Sequence, residues 1–144
     1  MAGTGGAFVL SKGFPALSTY NSSAAAGVLA NRCVKFAAGG TIDLNVDATG
    51  HNLGVVMENV DAAKVATGKA IVNVAMMGIV PVKVTTAASI VLGSRLMPTT
   101  SGGVVLAATA ASFVCGIAVG ITGTIADGDI IQMLLLPGGV KFVA

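Results

Sequence analysis

Apolar and polar positions alternate with a period of two in several stretches of the chain. Ile42, Leu44 and Val46 fall on one side and Asp43, Asn45 and Asp47 on the other, which predicts a half-buried strand ended by Ala48-Thr49-Gly50. Val72, Val74 and Met76 alternate in the same way with Ile71, Asn73 and Ala75. After Gly78, read as a bulge or bend, the phase resumes with Val80, Val82 and Val84 inward and Pro81, Lys83 and Thr85 outward. Pro81 is expected to face an edge or open side. Leu96-Met97-Pro98 and Val104-Val105-Leu106 read as a hairpin joined by a loop of five residues, Thr99 to Gly103. Helix is expected in a turn or two only, at residues 22–29 or 107–113. The fold class this predicts is all-β, a small β-barrel or sandwich-like domain.

A repeated element organises the pattern. Val65 to Ile71, Ile90 to Leu96 and Ile125 to Ile131 share the form apolar-x-x-Gly-x-x-apolar, and a strand is expected after each Gly. Gly supplies there a backbone conformation that a Cβ would resist. A longer unit recurs as well. Leu53-Gly54-Val55-Val56-Met57 precedes the first copy much as Cys115-Gly116-Ile117-Ala118-Val119 precedes the third. Residues 32–144 are therefore read as one β domain with an internal pseudo-repeat, 53–74 and 115–134.

Residues 1–31 differ: Gly, Ser and Ala cluster there, and no alternation is sustained. They read as an extended N-terminal arm. Its apolar residues Phe8, Leu10, Phe14, Leu17 and Tyr20 are anchors of a kind that solvated linkers lack, and they are the candidate contacts to a partner or neighbouring subunit. The competing expectation is that the arm folds back and completes the chain's own barrel.

Composition narrows the function classes. Only 14 of 144 residues are charged, where an average chain of that length carries about 36. So charge-poor a surface is expected to be covered by partners. Eight basic against six acidic residues, net +2, leave no electrostatic footprint for nucleic acid. The mean hydropathy of +0.89 is inflated by Ala and Gly. Residues 103–126 are uncharged and long enough to span a bilayer, but their counterpart in the repeat carries Glu58, Asp61, Lys64 and Lys69, which lipid would not tolerate. Two strands are expected there and no membrane partner. Residues 1–6 lack the apolar core of a signal peptide, so no secretory route is expected.

Catalytic chemistry has few candidates. His51, the single histidine, sits between Gly50 and Asn52 in a turn and reads as a solvated loop residue. Cys33 and Cys115 lie far apart in apolar settings, without CxxC spacing, and read as buried free thiols. Gly68-Lys69 fails as a phosphate loop, because Ala63 and Ala70 stand where Gly and a hydroxyl are required. Asp127-Gly128-Asp129 and Glu58-Asn59-Val60-Asp61 read as turns, and Met76, Met77 and Met133 as core filling. No enzyme activity, cofactor or metal is expected.

One resemblance adds to this reading. From Leu53 to Leu136 the order of Leu-Gly-Val-Val-Met, Thr67-Gly68-Lys69, Met77-Gly78-Ile79-Val80-Pro81-Val82, Ile90 to Leu96, the Gly102-Gly103 hairpin, Cys115 to Val119 and Ala126 to Leu134 is similar to the capsid cement, or head decoration, proteins of tailed bacteriophages. The likeness covers a little over half the chain and rests on turns and strands. It implies a β domain that trimerises on the outer capsid surface and reinforces joints between major capsid proteins, with no catalytic residue. The alternative from another class is a phage fibre or baseplate-type β module that binds a receptor or glycan, against which stand six aromatic residues and no Trp.

Overall fold

The computed structural model describes residues 9–16, 27–46, 51–86, 89–107, 113–121 and 123–141. The fold is all-β. Among the described residues nine strands, β1 (Leu10–Pro15), β2 (Cys33–Phe36), β3 (Ile42–Leu44), β4 (Gly54–Val56), β5 (Ile71–Lys83), β6 (Arg95–Pro98), β7 (Val104–Leu106), β8 (Phe113–Gly120) and β9 (Ile130–Lys141), form one curled antiparallel sheet. Its order is β3-β2-β4-β5-β9-β8-β6-β7, with β1 on the free side of β5. One α-helix, α1 (Ala62–Ala66), lies among the described residues.

β5 organises the sheet. Its first half pairs with β1 and β4, and from Gly78 onward it pairs with β9. Gly78 takes a φ of 109°, so the bend lies where the sequence pattern places it. Two curls share this strand. In the first, β5, β4, β2 and β3 return to the end of β1 through the parallel bridge Ala16↔Ile42. In the second, β5, β9, β8, β6 and β7 return to the end of β5 through the parallel bridge Val84↔Val104. A cycle of five strands cannot be antiparallel at every joint, so each curl needs one parallel contact. Each closes on a single bridge.

Each curl has its own core. Val34, Ile42, Leu44, Val56, Val72 and Val74 fill the first, with Val28, Val60 and Val65. Val80, Val82, Val84, Leu96, Val104, Ala118, Ile131 and Met133 fill the second. The cross-strand row Cys33–Val55–Ala75 belongs to the second core, although its strands wall the first. The β2-β4-β5 layer is thus buried on both faces, which explains why β4 is apolar at successive positions.

The repeated turn behaves as expected. Gly68, Gly93 and Gly128 have φ of 71°, 87° and 90°, and β5, β6 and β9 follow them. The two glycines of the longer unit are close-approach positions. A Cβ on Gly54 would meet the Ala75 carbonyl of β5, and one on Gly116 would meet Met133 and the Leu134 carbonyl of β9. The hairpin of β6 and β7 has the expected strands and loop, with Pro98 opposite Val104 and Leu96 opposite Leu106.

Other expectations need correction. The strand read as continuing to Asp47 ends at Leu44. Asn45 turns inward to 0% exposure and Val46 outward to 41%, because the Asn45 N–H donates to the Cys33 carbonyl and its amide pairs with Asn52. Residues 27–29, the described end of one segment expected to be helical, form no helix, and Val28 bridges Val60. Residues 22–26 and 108–112 lie outside the described ones. The helix stands instead at Ala62–Ala66, where Asp61 accepts from the Ala63 N–H at 2.7 Å as its N-cap. Residues 103–126 contain β7 and β8, and no described helix is long and apolar enough to cross a membrane.

Candidate interaction surface

The polar residues singled out in the sequence serve the backbone. Glu58 Oε1 accepts from the Asn73 N–H at 3.0 Å, Asn59 Oδ1 from the Ala30 N–H at 2.8 Å, and Asp129 Oδ2 from the Ala126 N–H at 2.7 Å. His51 is exposed and its ring lies 4.7 Å from that of Phe113. Among the described residues no three His, Cys, Asp or Glu gather as a metal-binding group.

Cys33 and Cys115, 82 positions apart in sequence, meet in the second core as free, fully buried thiols. Cys115 Sγ donates to the Leu96 carbonyl at 3.4 Å and lies 3.9 Å from Met133 Sδ. Hydrogen bonding with the Cys33 thiol, then burial, then the unfavourable charge interaction with Cys33, hold the Cys115 thiol well above its ordinary range. It stays neutral at physiological pH and is a packing group.

The notable feature of the surface is apolar. On the outer face of β5, β9 and β8, Ile79 stands opposite Leu134, which stands opposite Ile117. Directly paired residues share a face, so these three form a row across the sheet. Ile79 and Leu134 are each 38% exposed. One step along β5 and β9 come Pro81 opposite Gln132, and beyond them Lys83 opposite Ile130. In the other direction Met77 of β5 faces Leu10 of β1, both exposed. Charge is confined to the margin, at Lys83 and at Arg95 opposite Ile117.

A second apolar feature is an exposed turn. Ile90 is buried, while Val91 and Leu92, the next two residues, are 62% and 69% exposed. They sit on a braced turn. The Ser94 N–H donates to the Val91 carbonyl and the Val91 N–H to Ser94 Oγ, both at 2.9 Å, while the Gly93 N–H donates to the Ala118 carbonyl of β8 at 2.8 Å. The turn holds two apolar side chains out in water on a pinned backbone.

The fold itself has a precedent. The chain resembles the crystal structure of the N base of the head fibre gp8.5 of bacteriophage phi29, with a TM-score of 0.60 over 93% of this chain and 99% of that one, at 17% identity. At that identity the likeness is one of fold. No protein-family model and no curated protein matches the sequence.

Of the candidate contacts read from the sequence, Leu10 and Phe14 are described and both lie on β1. Leu10 extends the apolar face beside Met77, whereas Phe14 packs half-buried against the first core, its ring 5.7 Å from that of Phe36 and under Lys12 Nζ at 5.5 Å. Phe8, Leu17 and Tyr20 lie outside the described residues. Sequence reading passed over the outer face and the Val91–Leu92 turn. A signal was present in β9, where Ile130, Ile131, Met133, Leu134, Leu135 and Leu136 are apolar on both phases of the strand. Met77 was read as core filling and is exposed, while Met133 does fill the core.

Proposed function

We propose that this chain is a structural protein of a tailed-phage virion. It is seated on the outer capsid surface as a homotrimer, makes contacts with the major capsid protein that stabilise joints between capsid subunits, and carries out no catalysis. The observation that carries the reading is the match of fold to a phage head fibre base over nearly the full length of both chains. The charge-poor composition and the exposed apolar face support it, since both suit a subunit covered by neighbours.

The test uses heads of the phage that encodes the chain, prepared without it. Purified protein is expected to co-sediment with expanded heads to a fixed stoichiometry and to raise the temperature at which they release DNA. Failure to bind heads at saturating protein would overturn the reading.

A second reading is favoured by the name of the structural neighbour: the chain is the base of a head fibre, displayed on the capsid without reinforcing it. Binding that leaves head stability unchanged, with projecting density above the bound domain in electron micrographs, would select this second reading.

A further inference from the structure

Cys33 and Cys115 are the two cysteines of the chain. In the sheet order β4, β5 and β9 separate β2, which carries Cys33, from β8, which carries Cys115. The two side chains therefore meet through the second core and not along the sheet. We propose that they are a disulfide site: a low-molecular-weight disulfide converts the two thiols into a cross-link between β2 and β8 that stabilises the fold.

A disulfide needs two side chains that enter one space and face each other. Cys33 and Cys115 share one buried cluster, and their thiols hydrogen-bond. The β8-β9 register shifts between Val114 and Gly116, so Cys115 stands at an irregularity, where the ladder constrains the backbone least. Bond formation gives up the 3.4 Å hydrogen bond from Cys115 Sγ to the Leu96 carbonyl, a small loss because a thiol is a weak donor.

The step balances. One protein thiol, as its thiolate, attacks the reagent disulfide and expels half of it as a thiol; the second then attacks the protein sulfur of the mixed disulfide and expels the other half. The two protein thiols are oxidised by two electrons, and the reagent disulfide is reduced to two thiols. Both cysteines are buried, so the first exchange requires the fold to open locally. The link closes the segment from Cys33 to Cys115, which carries β3 to β7, and so removes freedom from the unfolded chain. The timing, unlike the bond, rests on the virion reading above: a reducing cytoplasm keeps the thiols free during assembly, and the link forms after release.

The full-length protein, folded and reduced, is incubated with oxidised glutathione just below its melting temperature, then unfolded in a maleimide that caps free thiols and weighed by mass spectrometry. Peroxide is avoided because it would also oxidise Met133. The chain is expected to lose two hydrogen atoms, take up neither maleimide nor glutathione, and run as a single chain on a non-reducing gel. Its melting temperature should rise by about 5–15 °C and return when a reductant is added. Cys33→Ala is expected to show no such rise, and a rise in this variant would overturn the assignment to the pair. Two maleimides per chain, under conditions that fully oxidise the urea-unfolded protein, would sink the proposal. Retained glutathione or a cross-link between chains would do the same, because the sulfurs would then be reachable yet not placed to bond. A bond that leaves the melting temperature unchanged, or lowers it, would remove the stabilising role. Every outcome is read on the free protein and is independent of whether heads are bound.

Discussion

Cys115 shows how a single residue reports on its surroundings. Its thiol is held neutral in the fold, by its contact with Cys33 first and by burial second, whereas in the unfolded chain it ionises near its ordinary value. Below that value both states carry the proton and stability is unaffected. Above it the unfolded state loses the proton first, so stability should fall with rising pH from about 8.5, by up to about 1.4 kcal/mol per pH unit, until the folded thiol also titrates. Urea melts of the protein and of Cys115→Ala between pH 7 and 10 check this: the variant is less stable throughout and should show a shallower decline. The glycines of the repeated unit make an equally local prediction. A Cβ at Gly54 would meet the backbone carbonyl of Ala75, which cannot move aside as a side chain can. Gly54→Ala is expected to cost about 1–3 kcal/mol or more, read as a lower urea midpoint at unchanged slope.

At the scale of elements, the N-terminal segment is the one whose placement matters most. β1 pairs with the first half of β5 along its whole length, and Ala16 then bridges Ile42 and closes the first curl. Without it that side of β5 is an open edge and the first core loses Ala16, Phe14 and Val28. A chain beginning at Arg32 is therefore expected to lose its cooperative melt, seen as a broad calorimetric transition and binding of a hydrophobic dye. A sharp transition would instead show that residues 1–31 are dispensable for folding. The helix carries a smaller prediction. Asp61→Ala removes the N-cap of a five-residue helix and should cost about 1 kcal/mol, visible as a drop in melting temperature without change of oligomeric state.

At the scale of the whole molecule, two small curls share one strand and one wall, and the second has no full core without the first. Cys33, Val55 and Ala75 sit in strands of the first curl and pack in the core of the second. Unfolding is expected to be a single transition, with fluorescence of a label at the exposed turn and far-ultraviolet circular dichroism giving coincident midpoints. Separate midpoints would mean that the curls are independent units.

Much of this was legible in the sequence, for identifiable reasons. Period-two alternation at residues 72–74 and 80–84 revealed the two halves of β5, and Gly78 between them marked the bend. The three apolar-x-x-Gly-x-x-apolar segments marked turns that a positive φ at Gly requires, each ahead of a strand. Such signals are local, written within one turn or strand. Asn45 broke its alternation because a distant carbonyl and a distant amide claimed it, which no local pattern records. The meeting of Cys33 with Cys115, the closure of each curl through one bridge, and the exposure of Val91 and Leu92 beside a buried Ile90 depend on which strands become neighbours. The sequence by itself determined the two halves of β5, the glycine turns and the scarcity of charge, because each depends on residues close together in the chain or on composition alone. Only the tertiary structure decided which apolar residues are core and which are left on the surface, because burial is settled by what packs from the other side.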